Sequence, residues 1–127
     1  EGREGNQHEG GLMARILKLD ITKLPKVQEP HGPHCCLYVL AEDGGENFKI
    51  GVAGHPNRRL TALQGGNRRR LTLVLVYAGT RTNCFEIERS TLRFFGAPRH
   101  SEWVYAERLE DIERYLNSFA TDDEEPQ

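Results

Sequence analysis

A chain of 127 residues, 37% of them hydrophobic, has material for one small domain with one core. No apolar run approaches the roughly 20 residues of a bilayer-spanning helix. No N-terminal stretch joins a charged start to an apolar core and a cleavage site, so a soluble, cytoplasmic protein is expected. The net charge of −2 conceals an uneven distribution: acids crowd both ends, while Met13 to Ala120 carry 16 bases against 12 acids, a mildly cationic core suited to a polyanionic partner.

In chain order, residues 1–34 form an N-terminal segment expected to be flexible. Glycine and charge without apolar period open it, "ARILKLDI" alternates well enough for an edge strand, and "PKVQEPHGPH" is a Pro-rich connector. Its end, "HGPHCC", gathers His31, His34, Cys35 and Cys36, which could in principle bind zinc; a strand starting beside a turn is the plainer account. The three cysteines Cys35, Cys36 and Cys84 neither pair evenly nor repeat a C-x-x-C spacing, which argues against a disulfide framework.

Residues 35–120 are expected to be the domain proper. "CLYVLA" and "NFKIGVA" are β-rich runs around the turn-forming "EDGGE", the pattern of a hairpin between Cys36 and Ala53. Pro56 suits the first position of a short helix over 56–64, with Leu60 and Leu63 on its apolar side and Gly65 and Gly66 to stop it. "LTLVLVYA" is apolar enough for a strand inside the sheet. Asn83 can cap a second helix running to about Phe95, and "AERLEDIERYLNSF" supplies a third, with Leu109, Ile112, Leu116 and Phe119 on one face. The sum is an α+β domain: a small three-stranded antiparallel sheet flanked by helices, with an extra N-terminal segment. Residues 121–127 form an acidic tail with nothing to bury.

Three features carry chemistry. Arg58, Arg59, Arg68, Arg69 and Arg70 fall within 13 residues, a footprint for a phosphate backbone or, more plainly, a solvated cluster. Cys84, Ile87, Thr91, Leu92 and Phe95 mark the inward stripe of the second helix, and Glu88 lies in the middle of it. A carboxylate there calls for an arginine, a metal ion or a proton, unless it snorkels outward or joins a structural ion pair. Lys49, inside a strand-like run, is either an exposed strand lysine or a phosphate clamp.

"LYVL", then "FKIG", then "NRRL", then a helix with "IERSTLRFF", then "SEWV" together resemble the GIY-YIG nuclease superfamily, in particular its phage-associated branch with a Tyr-Lys-Ile-Gly second motif. The resemblance covers about residues 36 to 105. It implies that the first-motif tyrosine is Tyr38, that Lys49 stands where standard members have the second-motif tyrosine, that the helix arginine is Arg59 and that the metal-binding glutamate is Glu88. Departures are Cys36 in place of a glycine, and Leu63 and Leu92 where some members carry histidines. The implied activity is metal-dependent hydrolysis of phosphodiester bonds in DNA, with RNA as a second candidate and magnesium or manganese as the ion. The alternative is a catalytically silent nucleic-acid-binding module derived from a nuclease. Under the implied mechanism Tyr38 helps activate water, with its pKa lowered by Lys49 or Arg59, Arg59 stabilises developing charge and the Glu88-bound ion steadies the leaving oxygen. Arg58, Arg68, Arg69, Arg70 and His55 are the expected nucleic-acid contacts, and His100 and Glu102 are additional site candidates. Such domains stand alone or travel with a phage or mobile element, and a homodimer would supply a second cut.

Overall fold

The computed structural model describes residues 14–23 and 34–120. Two long strands, β2 (His34–Glu42) and β3 (Asn47–Ala53), form the expected hairpin, with Cys36 opposite Ala53 and Ala41 opposite Phe48. Its turn needs glycine twice, because Gly44 and Gly45 both adopt positive φ, 111° and 92°. Strand β4 (Leu71–Thr80) lies antiparallel on the other side of β2, so β2 is the middle of the sheet.

The sheet has five strands, not the three expected. Strand β1 (Leu17–Lys18) pairs with β4 at one edge, and β5 (Trp103–Tyr105) pairs with β3 at the other, all antiparallel in the order β1-β4-β2-β3-β5. The α+β class stands; β1 falls within "ARILKLDI", the alternating run expected as an edge strand, whereas β5 is too short for a period-2 signal to register.

Alternation along β2 divides the interior. Cys35, Leu37 and Val39 face one side with Phe48, Ile50 and Tyr77, while Tyr38 and Leu40 face the other with Leu71 and Val76. Burial of each large apolar side chain contributes about 1.5–3 kcal/mol. Helix α1 (Pro56–Gly65) covers the Tyr38 side through Leu60 and Leu63, and Pro56 opens it where a missing N–H costs nothing.

On the opposite side lie α2 (Arg81–Phe94), through Cys84 and Ile87, and α3 (Leu109–Asn117), through Ile112 and Leu116. The cap of α2 is Thr80, not the expected Asn83: the Thr80 hydroxyl accepts from the Asn83 N–H at 3.1 Å, so β4 runs into the helix without a loop. The Asn83 amide instead donates to the Arg15 carbonyl at 3.2 Å.

Part of the N-terminal segment is built into this body. Ala14 and Ile16 are buried, the Ile16 N–H donates to the Phe119 carbonyl at 3.2 Å, and the Leu19 N–H donates to the Val76 carbonyl at 2.9 Å. No helix of the described residues is long and apolar enough to cross a membrane.

Candidate functional site

Tyr38 stands opposite Gly51 across the β2–β3 pair. The phenol lies over the glycine, and a Cβ at Gly51 would collide with its hydroxyl and Cζ. A side chain at position 51 would therefore expel Tyr38 from its seat. The ring is buried, and the Arg59 guanidinium, on the first turn of α1, reaches its hydroxyl as a donor.

Lys49 is two residues before Gly51 on the same face, opposite Leu40 on β2 and Trp103 on β5. At 7% exposure it is not the surface lysine that a strand position suggested. A buried ammonium needs a carboxylate, and the Lys49 Nζ donates to Glu102 Oε1. The Glu102 backbone is fixed as well, since its carbonyl accepts the Ile50 N–H at 3.0 Å. Strand β5 pairs only with Asn47, Phe48 and Lys49, so the rest of the β3 edge has no strand partner among the described residues.

Glu88, on α2, brings a second carboxylate to this group, and it is half-buried. Burial first, and the Glu102 charge second, push its pKa up to about 7, against the opposing pull of Lys49 and Arg89. The Tyr38 hydroxyl feels the same neighbours: burial raises its pKa, Glu102 and Glu88 add to the rise, and Arg59 opposes it. The expectation that nearby cations depress the Tyr38 pKa is therefore corrected. Burial outweighs Arg59, and Lys49 is committed to Glu102, so Tyr38 is a neutral phenol at neutral pH.

Tyr38, Lys49, Arg59, Glu88 and Glu102 thus form one interacting group drawn from β2, β3, α1, α2 and the approach to β5. The arginine cluster of the sequence does not stay together. Arg58 and Arg59 open α1, whereas Arg68, Arg69 and Arg70 lie past its other end, with about 10 Å of helix between the two groups. There the Arg69 Nη1 donates to the Asp43 carbonyl at 3.3 Å and the Asp43 N–H donates to the Arg70 carbonyl at 2.9 Å, so this loop is fastened to the hairpin turn. His55 is the residue before α1 and its side chain makes no capping bond. His100 is exposed with φ 66° and lines a cleft that also includes Glu102.

Two features escaped the sequence reading. Gly51 is required by the Tyr38 ring, which the pairing of the two runs could have revealed. Arg89 and Arg93, four apart on one helix face, line the same cleft as His100. Of the zinc candidates, His31 lies outside the described residues, and Cys35 and Cys36 face opposite sides of β2 and cannot share an ion. Among the described residues no three His, Cys, Asp or Glu side chains gather as a metal-binding group.

Compared with known proteins, no curated protein and no solved structure matches the chain. Residues 35–120 match the T5orf172 domain, a phage-associated, nuclease-related domain, and that span is most of the chain. A central strand tyrosine braced by an arginine, with two carboxylates and a buried lysine beside it, is a fitting polar centre for such a domain, and the chain belongs to the T5orf172 domain family.

Proposed function

We propose that this protein is a metal-dependent endonuclease of the GIY-YIG type, hydrolysing phosphodiester bonds in DNA. The observation that carries the reading is the meeting of Tyr38, Arg59, Glu88 and Glu102 in one interacting group within a nuclease-related domain. Phosphodiester hydrolysis needs a positioned water, positive charge where the phosphorus gains negative charge, and relief of charge on the departing oxygen. Tyr38, neutral and held by packing, orients the attacking water through its hydroxyl. Arg59, exposed and donating to that hydroxyl, meets the developing charge on the phosphate. Lys49 is paired with Glu102 and acts as a positioning residue that holds this carboxylate.

The donor set fits a hard divalent ion. Glu88 and Glu102 are close enough that one charge disfavours the other, and both offer oxygen; magnesium is commonly held by one or two carboxylates, with water and substrate phosphate completing the shell. Glu88 and Glu102 would hold the ion, which when bound supplies charge that steadies the leaving oxygen.

The test is nicking of supercoiled plasmid with magnesium or manganese. The parent chain is expected to nick, and Glu88→Gln and Tyr38→Phe to lose at least about 100-fold in rate with the fold retained. A parent chain that binds DNA but never nicks it with either ion would replace this reading with that of a silent binding module.

A further inference from the structure

A cleft of about 510 Å³ opens beside the candidate site and shares Glu102 with it. One wall is α2, where Arg89 and Arg93 lie one turn apart on the same face; the other is the loop before β5, which brings Arg99 and His100. All four are exposed. Leu92 and Ala97, packed against the core, form its apolar floor.

Three guanidinium groups around one cleft repel one another, and the cleft itself offers little relief. The ion pairs seen among the described residues draw on Lys18, Lys49, Arg108 and Arg114, and none draws on Arg93 or Arg99. Arg89 interacts with Glu88, and the carboxylate lining the cleft, Glu102, is already paired with Lys49. An anion from outside would be favoured here.

The loop wall is fixed in place. The Ala97 N–H donates to the Leu92 carbonyl at 2.9 Å, the Ser101 N–H to the Pro98 carbonyl at 2.9 Å, and the Trp103 N–H to the Ser101 hydroxyl at 3.1 Å. His100 is held between these ties in a left-handed conformation that a non-glycine residue adopts only under constraint. Arg99 and His100 are thus presented across from α2 before any ligand arrives.

We infer that this cleft seats a backbone phosphate of the DNA strand next to the one being cut, with Arg89, Arg93, Arg99 and His100 as its contacts. The strand then passes from Arg59 and Tyr38, across Glu88 and Glu102, into the cleft. The inference rests on the nuclease reading above and adds to it the direction in which the strand leaves the site.

The test measures binding of the full chain to a fluorescent DNA duplex across a salt series without divalent ions. Each phosphate neutralised contributes about 0.9 to the slope of log affinity against log salt, so R93A/R99A, which empties this one phosphate seat, should lower the slope by about 1. The charge-matched control R108A/R114A, whose arginines pair with Glu110 and Asp111, should leave it unchanged. A parent that binds while R93A/R99A keeps the parent slope, or a control that lowers the slope equally, overturns the cleft and leaves the nuclease reading standing. A parent that does not bind DNA at low salt overturns both.

Discussion

Glu88 is the residue whose charge costs this fold most visibly. Burial and Glu102 both disfavour the carboxylate, so the folded chain holds its proton up to about pH 7, while an unfolded chain releases it near the ordinary value of 4.5. Between those two values the folded state binds more protons than the unfolded state, so stability must fall as pH rises through the window, and the penalty is complete above about 7. Glu88→Gln has no proton to lose. Its melting temperature is therefore expected to overtake that of the parent as pH is raised from about 5 to about 8. Parallel melting profiles for the two proteins across that range would mean that Glu88 sits in water and that its neighbours scarcely matter. Magnesium at the upper pH should raise the melting temperature of the parent and not that of Glu88→Gln, since an ion bound only by the folded chain stabilises it by mass action.

The β2–β3 hairpin is the element that makes the site. Its register seats the Tyr38 ring on Gly51, and Gly51→Ala would force one of the two strands or the ring to move, at a cost of about 1–3 kcal/mol. The cost should be strongly non-additive: in a Tyr38→Ala background the ring is gone, and adding Gly51→Ala should cost little more. A double-mutant cycle by denaturant unfolding reads this directly, and additive losses would show that the ring does not rest on the glycine. The hairpin was also the part most legible in the sequence, because two β-rich runs around "EDGGE" leave few other foldings. Glu88 was legible for a similar reason, as a carboxylate breaking an apolar helical stripe. Thr80 was missed as a cap because it also ends a strand, and a sequence pattern assigns it to the strand first. The pairing of Lys49 with Glu102 and the raised pKa of Tyr38 depend on which strand lies beside β3, and a three-residue strand leaves no periodicity to read.

At the scale of the whole molecule, the family match begins at Cys35, yet the folding unit does not. Ile16 is 2% exposed, bridges to Ala120 in parallel and donates its N–H to Phe119, so it joins the start of the described chain to the end of the domain. Its neighbour Gly79 on β4 leaves room for it, since a Cβ there would lie 3.1 Å from the Ile16 side chain. Truncating a buried isoleucine removes its transfer energy and leaves a cavity, so Ile16→Ala is expected to cost about 2–5 kcal/mol. Lys18 is the natural comparison, because it lies two residues on in the same segment, exposed and paired at the surface with Glu113 at 2.5 Å. Surface pairs contribute at most about 1 kcal/mol, so Lys18→Ala should be nearly silent. Removal of residues 1–33 should cost at least as much as Ile16→Ala, because it takes Ala14 and strand β1 as well. Denaturant unfolding of the three variants decides the matter. If Ile16→Ala costs no more than Lys18→Ala, the segment lies on the domain without belonging to its core, and the matched span 35–120 would then be the folding unit.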